Sequence, residues 1–311
     1  MPFDHLVLTR FSAVRRGQGQ PMPAAWLTYR LGFFFDACHP SLTRQVGGAR
    51  FRWLVFLDDR CPDDFREQVT ELAAGAFEPV WGHGDFGSVE LPRAIEQWSD
   101  PSADQLVTTR VDSADAEARD FVGAVQAAVQ GSGRDDDLLF VNFARGLQVD
   151  RSGAVYRRNQ PHGPFISLVE PLSAGVTPRT VYTTKHNLAR LTAPVLEVRS
   201  PPMWLQVLHD GNLRNVVAGG QVGPGVLADR FDIDLVHDRG LHGAALLRAQ
   251  TRHRARLLRQ WTRHPGQALE AVTAGAARLR GTHLVAHDPS ARSASERLRE
   301  QLVRRGYRPH A

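Results

Sequence analysis

The chain has 311 residues, 42% of them hydrophobic, and a formal net charge of +5, which supplies a large buried core without covalent staples. Its cysteines, Cys38 and Cys61, lack the paired spacing of a zinc or redox motif and do not make a disulfide framework. The opening MPFDHLVLTR is unlike a basic signal peptide and no apolar run is long enough to cross a bilayer, so a cytoplasmic protein, soluble or peripheral, is expected.

The first two-thirds of the chain alternates strand-like and helix-like stretches. HLVLTRF (5–11) predicts a buried strand. After a Gly/Pro-rich loop, Trp26, Tyr29 and Phe33 fall at helical spacing, with Pro40 interrupting that helix. FRWLVFLDD (51–59) predicts a second buried strand, and Pro62, two early acids and Gly75 frame a helix after it. FEPVWG (77–82) and QLVTTRV (105–111) predict further strands, and a helix is expected from Ala116 to Val129 with Phe121, Val125 and Val129 on one face. DLLFVNFARGLQVD and AVYRRN predict strands around a hairpin turn at 151–153. PFISLVEPL, RTVYTTKH and MWLQVLHDGN add short extended segments. This order implies an α/β fold whose ligand lies beyond the carboxyl ends of the strands.

AGGQVGPGV (218–226) has the composition of a loop or hinge, so a main domain is placed at 1–220 and an extension at 221–311. Arg-rich helices are expected at 242–262, 266–280 and 293–305. Residues 239–311 hold 15 Arg against 4 Asp or Glu, leaving the rest of the chain acidic. The interleaved Leu and Arg of 246–264 suit a solvated helix packed on the main domain or a helix on an anionic membrane surface. With no zinc-finger spacing or aromatic RNA-binding motif, nucleic acid is not the expected partner.

The chemistry concentrates in VTTRVDSAD (107–115). Side chains of a continuous strand alternate, so Asp112 and Asp115 share a pocket only if the chain turns there. Two readings stand: Asp112 caps a helix with Asp115 in its first turn, or the two carboxylates hold Mg²⁺ or Mn²⁺.

HLVLTRF, FRWLVFLDD, VTTRVDSADA and MWLQVLHDGN, in that order over roughly residues 4–220, resemble the rhamnosyltransferase family of nucleotide-sugar enzymes. The resemblance implies a GT-A-like mixed central sheet flanked by helices, with a helical C-terminal extension. It implies transfer of a sugar, rhamnose by the family's label, from a nucleotide-diphosphate donor to an acceptor hydroxyl on a glycan or lipid-linked molecule. It also implies an Asp-x-Asp motif holding the metal and the donor's ribose or diphosphate. Here the motif reads Asp112-Ser113-Ala114-Asp115, so one carboxylate is replaced by Ala114. Asp112, Asp115 and His209 become the expected metal ligands. A second reading is a glycan- or nucleotide-binding protein without turnover, its metal motif degenerate.

Glycosyl transfer with inversion needs a base, for which Glu170, an acid emerging from an apolar segment, and Asp210 are the candidates. Asp58 or Asp59 is placed to read the nucleoside, with Thr9 and Arg10 closing the first strand beside it. Arg110, Lys185 and His186 are candidates to neutralise the diphosphate.

Overall fold

The computed structural model describes residues 2–235, except 16, 135–137, 162, 174, 211–216 and 218, together with 243–263, 272 and 281–288. Strand β1 (Phe3–Arg10) leads to helix α1 (Ala24–Phe33), which passes through a wide turn at Phe34–Cys38 into α2 (His39–Thr43). Then come β2 (Arg52–Asp58), α3 (Asp63–Ala73), β3 (Glu78–Gly82), α4 (Leu91–Trp98) and β4 (Gln105–Arg110). The sequence reading has no counterpart to α4. Pro92 sits inside its apolar pattern, but at the start of the helix, where a missing N–H costs nothing.

The run β3-β2-β1-β4 is parallel throughout. β1 and β2, buried on both faces, carry continuous apolar runs at residues 6–8 and 53–57 rather than an alternation, while β3 at the sheet edge is half-buried. Val7 of β1 and Trp53, Val55 and Leu57 of β2 pack under α1 and α3 through Leu27, Leu31, Phe65 and Val69. Leu6, Leu8, Leu54 and Phe56 point the other way, onto Leu91, Ala94 and Ile95 of α4. The crossovers therefore change sides between β1 and β4, and the crevice beyond their carboxyl ends is the topological switch point.

After β4 the chain makes β5 (Ala116–Glu117), α5 (Phe121–Gly131), β6 (Leu139–Asn142), β7 (Arg145–Val149), β8 (Val155–Asn159) and β9 (Ile166–Pro171). The helix expected from Ala116 begins at Phe121, because residues 116 and 117 pair instead with Leu205 and Trp204. Its apolar stripe is as expected, with Phe121, Val125 and Val129 buried. β9 runs antiparallel between β4 and β6 and makes the large sheet mixed. A single 3₁₀ turn at Val181–Thr183 and two turns at His186–Leu191 replace the partly extended segment expected at 179–186.

Further on lie β10 (Val195–Glu197), β11 (Trp204–Val207), β12 (Gln221–Val222), α6 (Gly225–Arg230), α7 (Gly243–Arg263) and β13 (His283–Val285). The large sheet has the order β13-β10-β6-β9-β4-β1-β2-β3, and a second sheet has the order β12-β8-β7-β11-β5. Beyond residue 220, β12 joins the second sheet and β13 the large one, and Leu227 and Phe231 are buried in the same core cluster as Trp204. The Arg-rich helix α7 forms as expected and anchors through His253, whose Nε2 donates to Gly219 O at 2.7 Å. The helices expected at 266–280 and 293–305 fall, apart from residue 272, outside the described residues.

The second sheet is fixed by Trp204. Its ring stacks on Phe165 at 4.9 Å, its Nε1 donates to Phe143 O at 2.7 Å, and it lies over Gly146, its pairing partner in β7. A Cβ on Gly146 would stand 2.1 Å from the indole. Gly146→Ala is expected to cost about 1–3 kcal/mol through overpacking of a rigid ring, read as a lower midpoint in thermal or urea denaturation.

Candidate active site

Arg10 and Arg110 reach the same face by strand geometry. Leu8 pairs with Arg110 across β1 and β4, so Arg10, two residues beyond Leu8, projects to the same side as Arg110. Arg110 donates to Asp112 Oδ1 at 2.9 Å and to Oδ2 at 3.2 Å, and its guanidinium lies 5.5 Å from the ring of Tyr182. Arg10 sits over Phe86 at 5.7 Å. Burial pushes the Asp112 carboxyl up, but Arg110, with Arg10 and Arg30, more than offsets this and leaves it below the usual carboxylate range. A separate cleft of about 660 Å³ is lined by the 14–18 and 85–88 loops, through Val14, Arg15, Gln18, Asp85 and Ser88 among others, and not by the side chains of this group.

On the other side of Asp112 the chain turns, with Asp115 N bonded to Asp112 O at 3.0 Å. Arg30 of α1 enters here. It donates to Ser113 Oγ at 2.8 Å and contacts His209 Nε2 at 2.6 Å. Because a guanidinium only donates, that His209 nitrogen is the acceptor and the ring is neutral. Burial, then Arg30 and Arg151, hold His209 down at about 4. The imidazole stacks on Phe33 at 4.6 Å and meets Tyr29 edge-on at 5.8 Å. Asp115 is buried and accepts from Val207 N at 2.9 Å, and burial followed by Asp112 raises its carboxyl to about 8. Glu117 is fully buried with neither carboxyl oxygen hydrogen-bonded, and burial, Asp115 and Asp112 push it well above the usual range.

The family model described as "Putative rhamnosyl transferase" matches residues 5–221, more than half of the chain. The chain belongs to this family. Among solved structures it is similar to S. aureus TarS 1-349, with 11% identity, a TM-score of 0.38 and coverage of 66% of this chain and 60% of that one. The same TarS segment in complex with UDP gives 12% identity, a TM-score of 0.37 and coverage of 74% and 63%. This chain thus spans under two-thirds of TarS 1-349. No curated protein matches it in sequence.

For a family member expected to use Mg²⁺ or Mn²⁺, the donor set is short. The His209 Nε2 lone pair is taken by Arg30, Asp115 Oδ1 is taken by the Val207 amide, and Asp112 is clasped by Arg110. The position of the missing carboxylate, Ala114, is buried. Among the described residues no three His, Cys, Asp or Glu side chains come together as a metal cradle. Arg30 bonds to His209 and to Ser113, which lies between the two aspartates in the chain, so a guanidinium stands among the residues expected to hold the metal. The alternative reading of Asp112 and Asp115 as helix cap and first-turn acid falls with the helix, which starts at Phe121.

Other expected site residues lie elsewhere. Glu170 pairs in register with Leu106, at the end of β4 opposite Asp112, and accepts from the amides of Arg179 at 2.7 Å and Thr180 at 2.8 Å. Those bonds occupy both its oxygens and hold Thr180 at a φ of 62°, a left-handed conformation unusual for a β-branched residue. Glu170 is therefore a loop anchor, remote from a reacting hydroxyl. Thr9 is buried on the opposite face, accepting from Trp53 Nε1 at 3.0 Å. Asp58 is fully buried and held by Arg60 at 2.8 and 2.9 Å, while Asp59 meets His83 at 2.7 Å. Lys185 is exposed at the start of the 186–191 turn, with His186 half-buried beside it. Asp210 is exposed and paired with Arg151. Arg30, Ser113, Glu117 and Tyr182 join the site without a sequence forecast, although Arg30 lies four residues after Trp26 and stacks on it at 5.5 Å.

The bond to Val207 makes Asp115 a positioning group, and its Asn and Ala variants separate that role from metal ligation. Asp115→Asn keeps an acceptor for the Val207 N–H and is expected to bind donor like wild type. Asp115→Ala strands that amide and is expected to lose about 1–3 kcal/mol of stability. With its folded value near 8 against 3.8 unfolded, the stabilisation tied to protonated Asp115 is complete below the unfolded value and lost as pH rises through the folded one. Asp115→Asn should therefore gain on wild type in urea midpoint as pH is raised from about 5 to about 9.

Proposed function

We propose that the protein transfers a sugar from a nucleotide-diphosphate donor to an acceptor hydroxyl, with the donor's diphosphate at the carboxyl ends of β1 and β4. The observation that carries this is the pairing of Arg10 and Arg110 on one face, around Asp112, at the carboxyl ends of β1 and β4. Membership of the family supports glycosyl transfer, and its description supports rhamnose as the sugar.

In this reading the bond between the sugar's C1 and the β-phosphate oxygen breaks, and its electron pair leaves with the nucleoside diphosphate. The acceptor oxygen forms the new C1–O bond and gives up its proton to a carboxylate. Asp210 is the candidate base, exposed and next in the chain to His209. The guanidinium groups stabilise the charge that grows on the leaving phosphate, where a preorganised donor acts without reorganising. Arg110 is rigid in this role because Tyr182 and Asp112 hold it from two sides.

Among the described residues no helix is long and apolar enough to cross a membrane. α7 nonetheless presents Leu247 and Leu258, 62% and 60% exposed, among the exposed Arg248, Arg252, Arg254 and Arg259. That surface suits peripheral contact with anionic lipid beside a lipid-linked acceptor.

Incubation with a panel of UDP-, dTDP- and GDP-sugars is expected to release the matching nucleoside diphosphate, and Arg110→Ala is expected to slow release by about 100-fold or more. A donor that stabilises the fold thermally but is never turned over would instead mark a binding protein. For α7, flotation with anionic vesicles is expected, and Leu247→Ser with Leu258→Ser should weaken it; protein left unfloated by anionic lipid removes the membrane contact.

A further inference from the structure

Arg30 occupies the centre of the group for which the sequence motif forecasts a metal. It bonds to His209 and to Ser113, the residue following Asp112, and its charge acts on both Asp112 and Asp115. We propose that this guanidinium stands in for the divalent cation: Arg30, Arg10 and Arg110 together neutralise the donor's diphosphate, and transfer proceeds without a metal ion. This rests on the donor reading above and specifies how that site handles charge.

Three observations carry it. First, the expected histidine ligand is already engaged. The Nε2 lone pair of His209 accepts from Arg30, and the histidine is packed between Phe33 and Tyr29, which fixes the ring in that use. Second, the cations outnumber their partners. Arg110 is paired with Asp112, while among the described residues Arg10 and Arg30 form no ion pair and rest on the rings of Phe86 and Trp26. Two uncompensated guanidinium groups match the two ionised phosphates of a sugar nucleotide, and a divalent ion added beside them would be repelled. Third, Arg30 Nε is buried with no hydrogen-bond partner. An N–H so placed is costly until an acceptor arrives, and a phosphate oxygen supplies one.

Ala114 then acquires a reason. A chain that carries its counter-charge on a side chain tolerates loss of a metal-ligating carboxylate. The guanidinium also forks, so that Nε and one Nη can take two oxygens of one phosphate, which a lysine cannot do. When the C1–O bond breaks, the additional negative charge forms on the β-phosphate, within reach of cations already in place.

The test is calorimetric titration of UDP, dTDP and GDP, singly, into the full chain stripped of metal in EDTA and again with Mn²⁺ or Mg²⁺. At least one should bind in EDTA, with an affinity that either ion changes by less than about threefold, and Arg30→Ala should weaken it by about tenfold or more, with Arg30→Lys intermediate. Turnover of the matching sugar nucleotide should be insensitive to EDTA. Binding that appears only with Mn²⁺ or Mg²⁺ overturns the metal-free mechanism while leaving the donor reading intact. An Arg30→Ala protein that keeps its thermal midpoint and wild-type affinity removes Arg30 from the site. No binding of any of the three, with or without metal, sinks the donor reading and this proposal with it. Should Arg30→Ala not fold, the wild-type metal comparison and Arg30→Lys still decide.

Discussion

The parallel register of β1 against β4 is the constraint on which the site depends. Pairing Leu8 with Arg110 places two arginines on one face of adjacent strand ends, at the point where the crossover helices change sides. A slip of one residue would send Arg10 or Arg110 into the apolar layer under α1 and α3, because strand side chains alternate. The register is held by the burial of Leu6, Leu8, Leu106 and Val107, all at 0% exposure, so the core stabilises the fold and aims the chemistry at once.

Beyond the strand ends, the polar group is assembled from distant parts of the chain. Arg30 arrives on α1, Ser113 and Asp115 on the turn after β4, His209 after β11, and Tyr182 on a loop tied down by Glu170 and Thr108. Two of its acids are not facing solvent at all. Asp115 and Glu117 lie behind the arginines, where burial and mutual repulsion favour their protonated forms. Acids whose charged form is disfavoured offset less of the arginines' positive charge, which stays available to an incoming anion.

β1 and β2 were legible in the sequence because strands buried on both faces carry unbroken apolar runs, as HLVLTRF and FRWLVFLDD do, while FEPVWG and QLVTTRV show their strands with less apolar content. Asp112, Asp115 and His209 stood out in the sequence through the motifs and their order. Their partners did not. Arg30 looks like any arginine on an amphipathic helix, and the aromatic spacing of Trp26, Tyr29 and Phe33 reads as a core stripe, whereas the residues fully sunk into the core are Leu27 and Leu31. Glu170 misled for a related reason: an acid closing an apolar strand has the same appearance whether it faces substrate or caps a loop, and only the antiparallel direction of β9 puts it at the wrong end. The start of α5 was misplaced because a two-residue strand carries too little pattern to be seen.

Trp204 and Gly146 carry no charge themselves, yet the indole seated over a bare backbone acts as a stop for the segment that ends in His209. With that stop in place, β11 has one way to lie, and the imidazole five residues later is delivered to Arg30 without adjustment of its own. A residue with no side chain, in a strand with no chemistry, thereby sets the tolerance to which the anion site is built.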